Sequence, residues 1–303
     1  MIPVIDLNDK NVVEKFKETY TTIGFAVLTN HFTKDEQQLY NSWFKIIKEF
    51  FDLDLEIKNQ YEFDINVMCG YGSLASPING LDLSETFNFG RGRIPLHFWP
   101  KEILNFKETA LEATSIADSL NLKVLSIFDE VIGRPDKPLT NAHKENYTTT
   151  RLIHYPIYDG ELRDGQERMG EHNDYGTLTF LWQLEDVPGL EVKDLDGNWH
   201  PVPYIENGVV CNIADLLQRW TNDFLKSTRH RVLKSHLHIP RYSLTHFIDP
   251  APNTRIENLM KTPPIYPVIE ALDVTDLFAD RLSKDASVFD YRGRIKDENG
   301  YWL

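Results

Sequence analysis

Apolar residues recur along this chain at two periods, and the change from one to the other divides it. IPVIDL opens it as a short strand. Asn8 and Asp9 then cap a stretch in which Val12, Val13, Phe16 and Tyr20 follow helical spacing. GFAVLTN (24–30) reads as a second strand, and Lys34 to Phe51 as a helix with Leu39, Trp43, Ile46, Ile47 and Phe50 on one stripe. Between about 59 and 99, Gly, Pro and Asn are frequent, with CGYGS and GRGRIP among them, so irregular loops with short strands are expected. From Lys101 to about Ile132 the positions Ile103, Phe106, Ala110, Ala113, Ala117, Leu120, Val124, Ile127 and Val131 predict one long amphipathic helix, suited to bracing a sheet.

Beyond GRPDKP the period shortens. TTRLIHY, TLTFLWQ, GLEVKD, NWHPV, GVVCNI, RHRVL and RYSLTHF are β-like runs parted by turn residues, with a hairpin turn at Asp196-Gly197. So many short, evenly spaced strands predict an antiparallel sandwich or jelly roll whose mouth can hold a ligand. Helix is expected again after Pro267. The expectation is a mainly β fold with flanking helices in one domain, 1–303. Within it lie an N-terminal region with substrate loops (1–100), a bracing helix (101–132), a catalytic core (148–250) and a helical tail (251–303).

Composition narrows the function. A hydrophobic fraction of 41% and an aromatic fraction of 12% are those of a folded protein. The net charge of −14, without a Lys/Arg cluster, opposes binding to nucleic acid or an anionic membrane. The start lacks the charged and apolar regions of a signal peptide, no stretch approaches a membrane span, and Cys69 and Cys211 are too far apart for a thiolate metal motif. A cytoplasmic monomer that binds a small molecule and packs both thiols is the expectation.

The chemistry starts at EHNDYGTLTF. In an extended strand His172 and Asp174 would project from one face, a geometry suited to a chelate, although a polar turn that starts a strand has the same appearance. A third ligand is needed, and His230 in STRHRVL is the candidate. Most of the other histidines (His31, His97, His143, His154, His200, His236, His238 and His246) fall in polar stretches that suggest solvent exposure. In RYSLTHF, alternation puts Arg241, Ser243, Thr245 and Phe247 on one face and Tyr242, Leu244 and His246 on the other. If the first face looks inward, His246 is no ligand, and a buried Arg241 with Ser243 calls for an anion such as a carboxylate. Two histidines and a carboxylate form the facial triad typical of non-haem Fe(II) oxygenases, while zinc accepts the same ligands in tetrahedral form. Spacing does not separate the two metals. The arginine favours iron, because it would anchor the far carboxylate of a 2-oxo acid chelated to the open iron positions.

These residues together resemble the isopenicillin N synthase-like branch of the Fe(II)/2-oxoglutarate-dependent dioxygenases. IPVIDL, GFAVLTNHF, RLIHYP, HNDYGTLTFLWQ, GLEVKDLDGNWHPVP, VVCNIADLLQRWTND, KSTRHRVL and RYSLTHFIDP carry the likeness over nearly the whole chain. It implies a distorted double-stranded β-helix, Fe(II) on His172, Asp174 and His230, and 2-oxoglutarate on Arg241 and Ser243 with a further contact from Tyr155. It also implies O2 as cosubstrate. The reaction would couple decarboxylation of 2-oxoglutarate to succinate with hydroxylation, desaturation or ring closure of a small molecule. Where the family has Asn-Tyr-Tyr-Pro, this chain has Ile153-His154-Tyr155-Pro156, so His154 is either a substituted contact or an outward strand residue. Phe247 should line the substrate cavity, and the loops before the barrel offer Tyr71, Phe87, Phe89, Arg91 and Arg93. The two arginines suggest a carboxylated substrate, such as an amino-acid-derived acid, although RGR in a Gly-rich loop also reads as a solvated turn. An oxidase of the same fold that does not use 2-oxoglutarate, and a non-catalytic small-molecule receptor, are the alternatives.

Overall fold

Long strands whose two faces are both apolar need a cover on each side, and the computed structural model shows helices on one face and a second sheet on the other. Residues 1–64, 67–74, 82–90, 98–162 and 164–271 are described. The N-terminal part runs β1 (Val4–Asp6), α1 (Val12–Tyr20), β2 (Phe25–Thr29), α2 (Lys34–Phe51), α3 (Leu55–Lys58), β3 (Gly70–Gly72), β4 (Glu85–Gly90), α4 (Phe106–Val131) and α5 (Pro138–Ala142). There follow β5 (Tyr147–Tyr155), β6 (Met169–His172), β7 (Leu178–Gln183), β8 (Leu190–Lys193), β9 (Trp199–Pro201) and β10 (Val209–Ile213). The chain continues with α6 (Asp215–Trp220), β11 (His230–Val232), β12 (Arg241–Asp249), β13 (Arg255–Ile256) and β14 (Ile269–Glu270).

Eight strands pair in the order β1-β2-β10-β7-β12-β5-β4-β3, and four in the order β6-β11-β8-β9. The fold is the expected mainly β jelly roll with flanking helices, its two sheets not closing into a barrel. Alternation assigns each strand residue to one of two cores. Phe180, Trp182, Cys211, Leu152 and Leu244 join Phe16, Trp43, Phe50, Ala113 and Phe128 in the larger core under α1, α2 and α4. Phe25, Val27, Ile153, Tyr155 and Val210 meet Leu190, Val192 and Val232 of the small sheet. Both cysteines are buried and unbridged.

The helices form for local reasons as well. Thr33 caps α2 in a capping box, its hydroxyl accepting from Glu36 N–H while the Glu36 carboxylate accepts from Thr33 N–H at 2.7 Å. In α4 the small residues Ala110, Ala113 and Ala117 are buried, and Tyr40 Oη donates to Ala113 O at 3.0 Å. The bracing helix starts at Phe106, later than the expected Lys101, because Asn105 takes a left-handed φ of 61° that interrupts any earlier turn. Beyond residue 250 the described chain is not helical. Ile269–Glu270 pairs antiparallel with Arg255–Ile256, and Ala271 N–H donates to Thr254 O at 2.8 Å, so edge pairing captures the apolar residues read as a helix start. The rest of that tail lies outside the described residues. Among the described residues no helix is long and apolar enough to cross a membrane.

Candidate metal centre and its cavity

The metal ligands come together through strand register. β6 and β11 are neighbours, and His172 stands directly opposite His230, which brings their rings to 4.2 Å between centroids. Asp174 lies past the end of β6, in the turn to β7, so the extended-strand geometry expected for the pair does not hold. The turn nevertheless places Asp174 Oδ1 at 3.8 Å from His172 Nε2 and 3.7 Å from His230 Nε2. One ligand atom from each of the three lies within 4.8 Å of the others.

Neighbours orient all three. Nδ1 of His172 is 2.8 Å from Gly170 O and Nδ1 of His230 is 3.3 Å from Thr228 O. A carbonyl only accepts, so each Nδ1 carries a proton, and each Nε2, on the Asp174 side, is the nitrogen that could offer a lone pair to a metal. Asp174 Oδ2 accepts from Thr179 Oγ1 and Asn212 Nδ2, both at 2.7 Å, leaving Oδ1 for a metal. Burial alone would raise the Asp174 pKa, but His230, His172 and these two hydrogen bonds outweigh it and hold the group below the ordinary carboxylate range. The backbone of the turn is clamped too: Asp215 N–H donates to Asp174 O at 2.9 Å and Thr177 N–H to Ile248 O at 2.8 Å. Gly176 fits this crossing because a Cβ there would stand 2.3 Å from Asp249 Oδ1 and 2.7 Å from Ile248 O.

A cavity opens from the ligands between the two sheets. Its walls include Phe25, Leu181 and Val210 from β2, β7 and β10, and Thr149, Arg151, Tyr155, Thr245, Phe247 and Asp249 from β5 and β12. These two strands pair antiparallel with Arg241 opposite Tyr155, Ser243 opposite Ile153, Thr245 opposite Arg151 and Phe247 opposite Thr149. The inward face is therefore the one that alternation assigned. Arg241 and Ser243 are buried at 1% and 0% exposure, and Arg241 Cζ lies 5.2 Å from the centre of the Tyr155 ring. Arg241 Nη2 donates to Gln183 Oε1 at 3.3 Å, whereas Arg241 Nη1, Ser243 Oγ and Thr245 Oγ1 find no hydrogen bond of good geometry among the described residues. Burial pulls the Arg241 pKa below its ordinary value. Orphaned donors around a buried cation are what a missing carboxylate leaves behind.

Comparison with known proteins gives the site its family. The 2OG-Fe(II) oxygenase superfamily matches residues 146–250, and the N-terminal region of non-haem dioxygenases in morphine synthesis matches residues 2–102. The proline hydroxylase buaE of Petromyces alliaceus is 30% identical over 270 residues, covering 82% of this chain and 84% of the relative. The chain belongs to the 2OG-Fe(II) oxygenases. The validamycin A dioxygenase of Streptomyces hygroscopicus subsp. limoneus is 27% identical over 84% of this chain and 78% of its own. A full-length Neurospora crassa protein, solved in complex with alpha-KG (2-oxoglutarate), superposes with a TM-score of 0.80 at 28% identity, covering 93% of this chain and 95% of that one. This chain is thus an Fe(II)- and 2-oxoglutarate-dependent dioxygenase with O2 as second cosubstrate. The donor set fits iron, and the buried Arg241 and Ser243, with Arg241 Nη1 unpartnered among the described residues, fit 2-oxoglutarate.

Several expected substrate residues lie elsewhere. Phe87 and Phe89 face Leu152 and Thr150, which point to the helices. Phe87 packs 4.9 Å from Phe50 and Phe89 5.5 Å from Trp99. Tyr71 is buried in the same core and donates its hydroxyl to Glu85. His154 is the outward strand residue: its ring stacks on Tyr242 at 4.3 Å and its Nδ1 meets Glu85 Oε1 at 2.7 Å. Tyr71, Phe87 and Phe89 thus pack in the core rather than on the cavity wall, and of the two readings of His154 the outward one matches its contacts. Arg91 and Arg93 lie outside the described residues. His143, His154 and His246 are buried rather than solvated; His246 meets Thr150 Oγ1 at 3.0 Å and Asp118 Oδ1 at 3.3 Å, away from the metal. The wall residues Arg151, Thr149, Tyr175 and Asp249 were not expected, although Arg151 and Thr149 keep step with Tyr155 at intervals of two.

Proposed function

We propose that this oxygenase hydroxylates a small molecule whose carboxylate, or comparable hydrogen-bond acceptor, is held by Arg151 while its apolar part rests on Phe247. The carrying observation is the Arg151–Phe247 pair on the cavity wall, with the guanidinium 5.4 Å from the ring centre. Arg151 Nε donates to Asn88 Oδ1 at 2.7 Å, which positions the side chain from β4. Likeness to a protein named proline hydroxylase supports an amino-acid-derived carboxylate.

When bound, Fe(II) with 2-oxoglutarate and O2 supplies the oxidant, and 2-oxoglutarate leaves as succinate and CO2. His172, Asp174 and His230 would hold the iron, and Arg241, Ser243 and Tyr155 the far carboxylate of 2-oxoglutarate. Arg151 and Phe247 would fix which C–H bond of the substrate approaches the iron, so positioning selects the product. Leu181, Val210 and Phe25 make that side of the cavity apolar and exclude water.

We further read the chain as one domain over 1–303, monomeric and cytoplasmic, with its negative charge directing it away from nucleic acid and anionic membranes. Light scattering in solution tests the monomer. Succinate release across a panel of small carboxylates and their amides tests the substrate class. Carboxylates should be turned over in preference, and Arg151→Gln should raise their KM about tenfold or more. Equal turnover of acids and amides, or an unchanged KM, would remove Arg151 as the anchor.

A further inference from the structure

Arg168 precedes β6 and is fully buried at 0% exposure. Its Nη2 donates to His236 O at 3.1 Å and to Ile239 O, in the segment that leads into Arg241. Its Nε and Nη1 find no hydrogen-bond partner among the described residues. Its Cζ lies 6.0 Å from the centre of the Tyr155 ring, the ring that also carries Arg241 at 5.2 Å. Two buried guanidinium groups thus share one aromatic residue, and neither forms an ion pair with a carboxylate of the described residues. Asp82, which also acts on Tyr155, accepts Gly170 N–H at 2.8 Å instead. Burying two cations without an anion is strongly unfavourable, so the pair calls for an anion beyond those that the described residues place against it.

We propose that Arg168 is a second cosubstrate-binding arginine, completing with Arg241, Ser243 and Tyr155 a two-cation receptor for the distal carboxylate of 2-oxoglutarate. The inference rests on the cosubstrate assignment above and adds to it a residue outside the Arg-x-Ser pair. Its consequence is selectivity: a 2-oxo acid without a distal carboxylate leaves both cations unpaired.

The test is an anaerobic titration of the Fe(II)-loaded protein with 2-oxoglutarate and, separately, with 2-oxobutanoate, read from the visible charge-transfer band. Arg168→Gln should weaken 2-oxoglutarate binding about 10- to 100-fold and change 2-oxobutanoate binding less than about threefold. Arg168→Lys, which keeps the charge, should recover part of the loss and carries the same comparison if the glutamine variant does not fold. Equal weakening of both acids would overturn the proposal, assigning Arg168 only to holding the 236–239 segment. No weakening of either would overturn it as well. A wild-type protein that binds iron but gives no band with 2-oxoglutarate would overturn the cosubstrate assignment itself.

Discussion

The two faces of the β5–β12 ribbon bury polar side chains to similar depth, yet only one face completes their pairing with charges from its own chain. On the helix side Glu85 receives Lys58 Nζ at 2.9 Å, His154 Nδ1 at 2.7 Å and the Tyr71 hydroxyl, while Asp118 accepts Thr148 Oγ1 at 3.0 Å beside His246. On the cavity side, among the described residues, Arg241 has only the neutral Gln183 and Tyr155, and the Ser243 and Thr245 hydroxyls lack a partner of good geometry. Burial therefore does not distinguish structure from site here; the missing countercharge does. The helix side pairs its carboxylates with cations of its own chain, although neutral groups there, such as the Asn121 amide and His154 Nε2, find no hydrogen bond among the described residues; the cavity side lacks the countercharge.

The largest effect expected from breaking this contrast is at the metal. Asp174→Ala removes the only carboxylate among the three ligands and should abolish iron-dependent succinate formation together with the anaerobic charge-transfer band. Retained turnover would sink the metal assignment; His172→Ala makes the same test from β6. The helix side should answer in stability instead. Lys58→Met leaves Glu85 buried with one cation fewer, a change expected to cost about 3 kcal/mol in chemical denaturation. The double variant Lys58→Met/Glu85→Gln should recover part of that loss, and a single-variant loss below about 1 kcal/mol would show the pairing to be dispensable.

Much of this contrast was legible in the sequence because alternation is a rigid rule. RYSLTHF assigned Arg241, Ser243 and Phe247 to one face and His246 to the other, and β12 keeps that phase over nine residues. The candidate ligands His172, Asp174 and His230, which the fold brings within 4.8 Å of one another, stand out by residue type and order, although Asp174 sits in a turn rather than a strand. The failures share a cause. In ETFNFG the aromatic residues drew attention as cavity wall, but the register of β4 against β5 turns Phe87 and Phe89 to the helices and Asn88 to Arg151. A one-residue change of phase exchanges the faces, and no residue within β4 reveals its phase. Arg168 escaped notice for a related reason: a lone arginine before a strand looks solvated until the segment above it is folded.

On the cavity side the prediction is opposite in kind to that for Lys58. Arg241→Met should weaken 2-oxoglutarate binding roughly 100-fold, about 3 kcal/mol, while leaving iron binding intact. In the absence of cosubstrate the same change removes a buried cation that lacks a carboxylate, so the apo protein should unfold at the same or a higher denaturant concentration. A destabilised apo Arg241→Met would mean that the cavity side is closed by its own chain after all, and the contrast would fail.

The smallest expected effect lies just behind the metal turn, where polar closure is complete without any charge. His143 is buried with Nδ1 2.7 Å from Leu139 O and Nε2 2.8 Å from Thr177 Oγ1. Burial lowers its pKa to about 4, against 6.5 for the unperturbed group. The unfolded chain therefore binds a proton before the folded one does, so stability is full above pH 6.5 and falls as pH drops toward 4. Between about pH 7 and about pH 5 the loss from this residue is about 2 kcal/mol. His31, also lowered to about 4 by burial but partly accessible, adds a smaller loss of the same sign. Urea denaturation of wild type and His143→Gln at the two pH values isolates the His143 share, because glutamine does not titrate. The variant should lose distinctly less stability on acidification. An equal loss in both proteins would show that His143 is protonated in the fold, which would require an anion near Thr177 and would extend the open electrostatics of the cavity to the helix side.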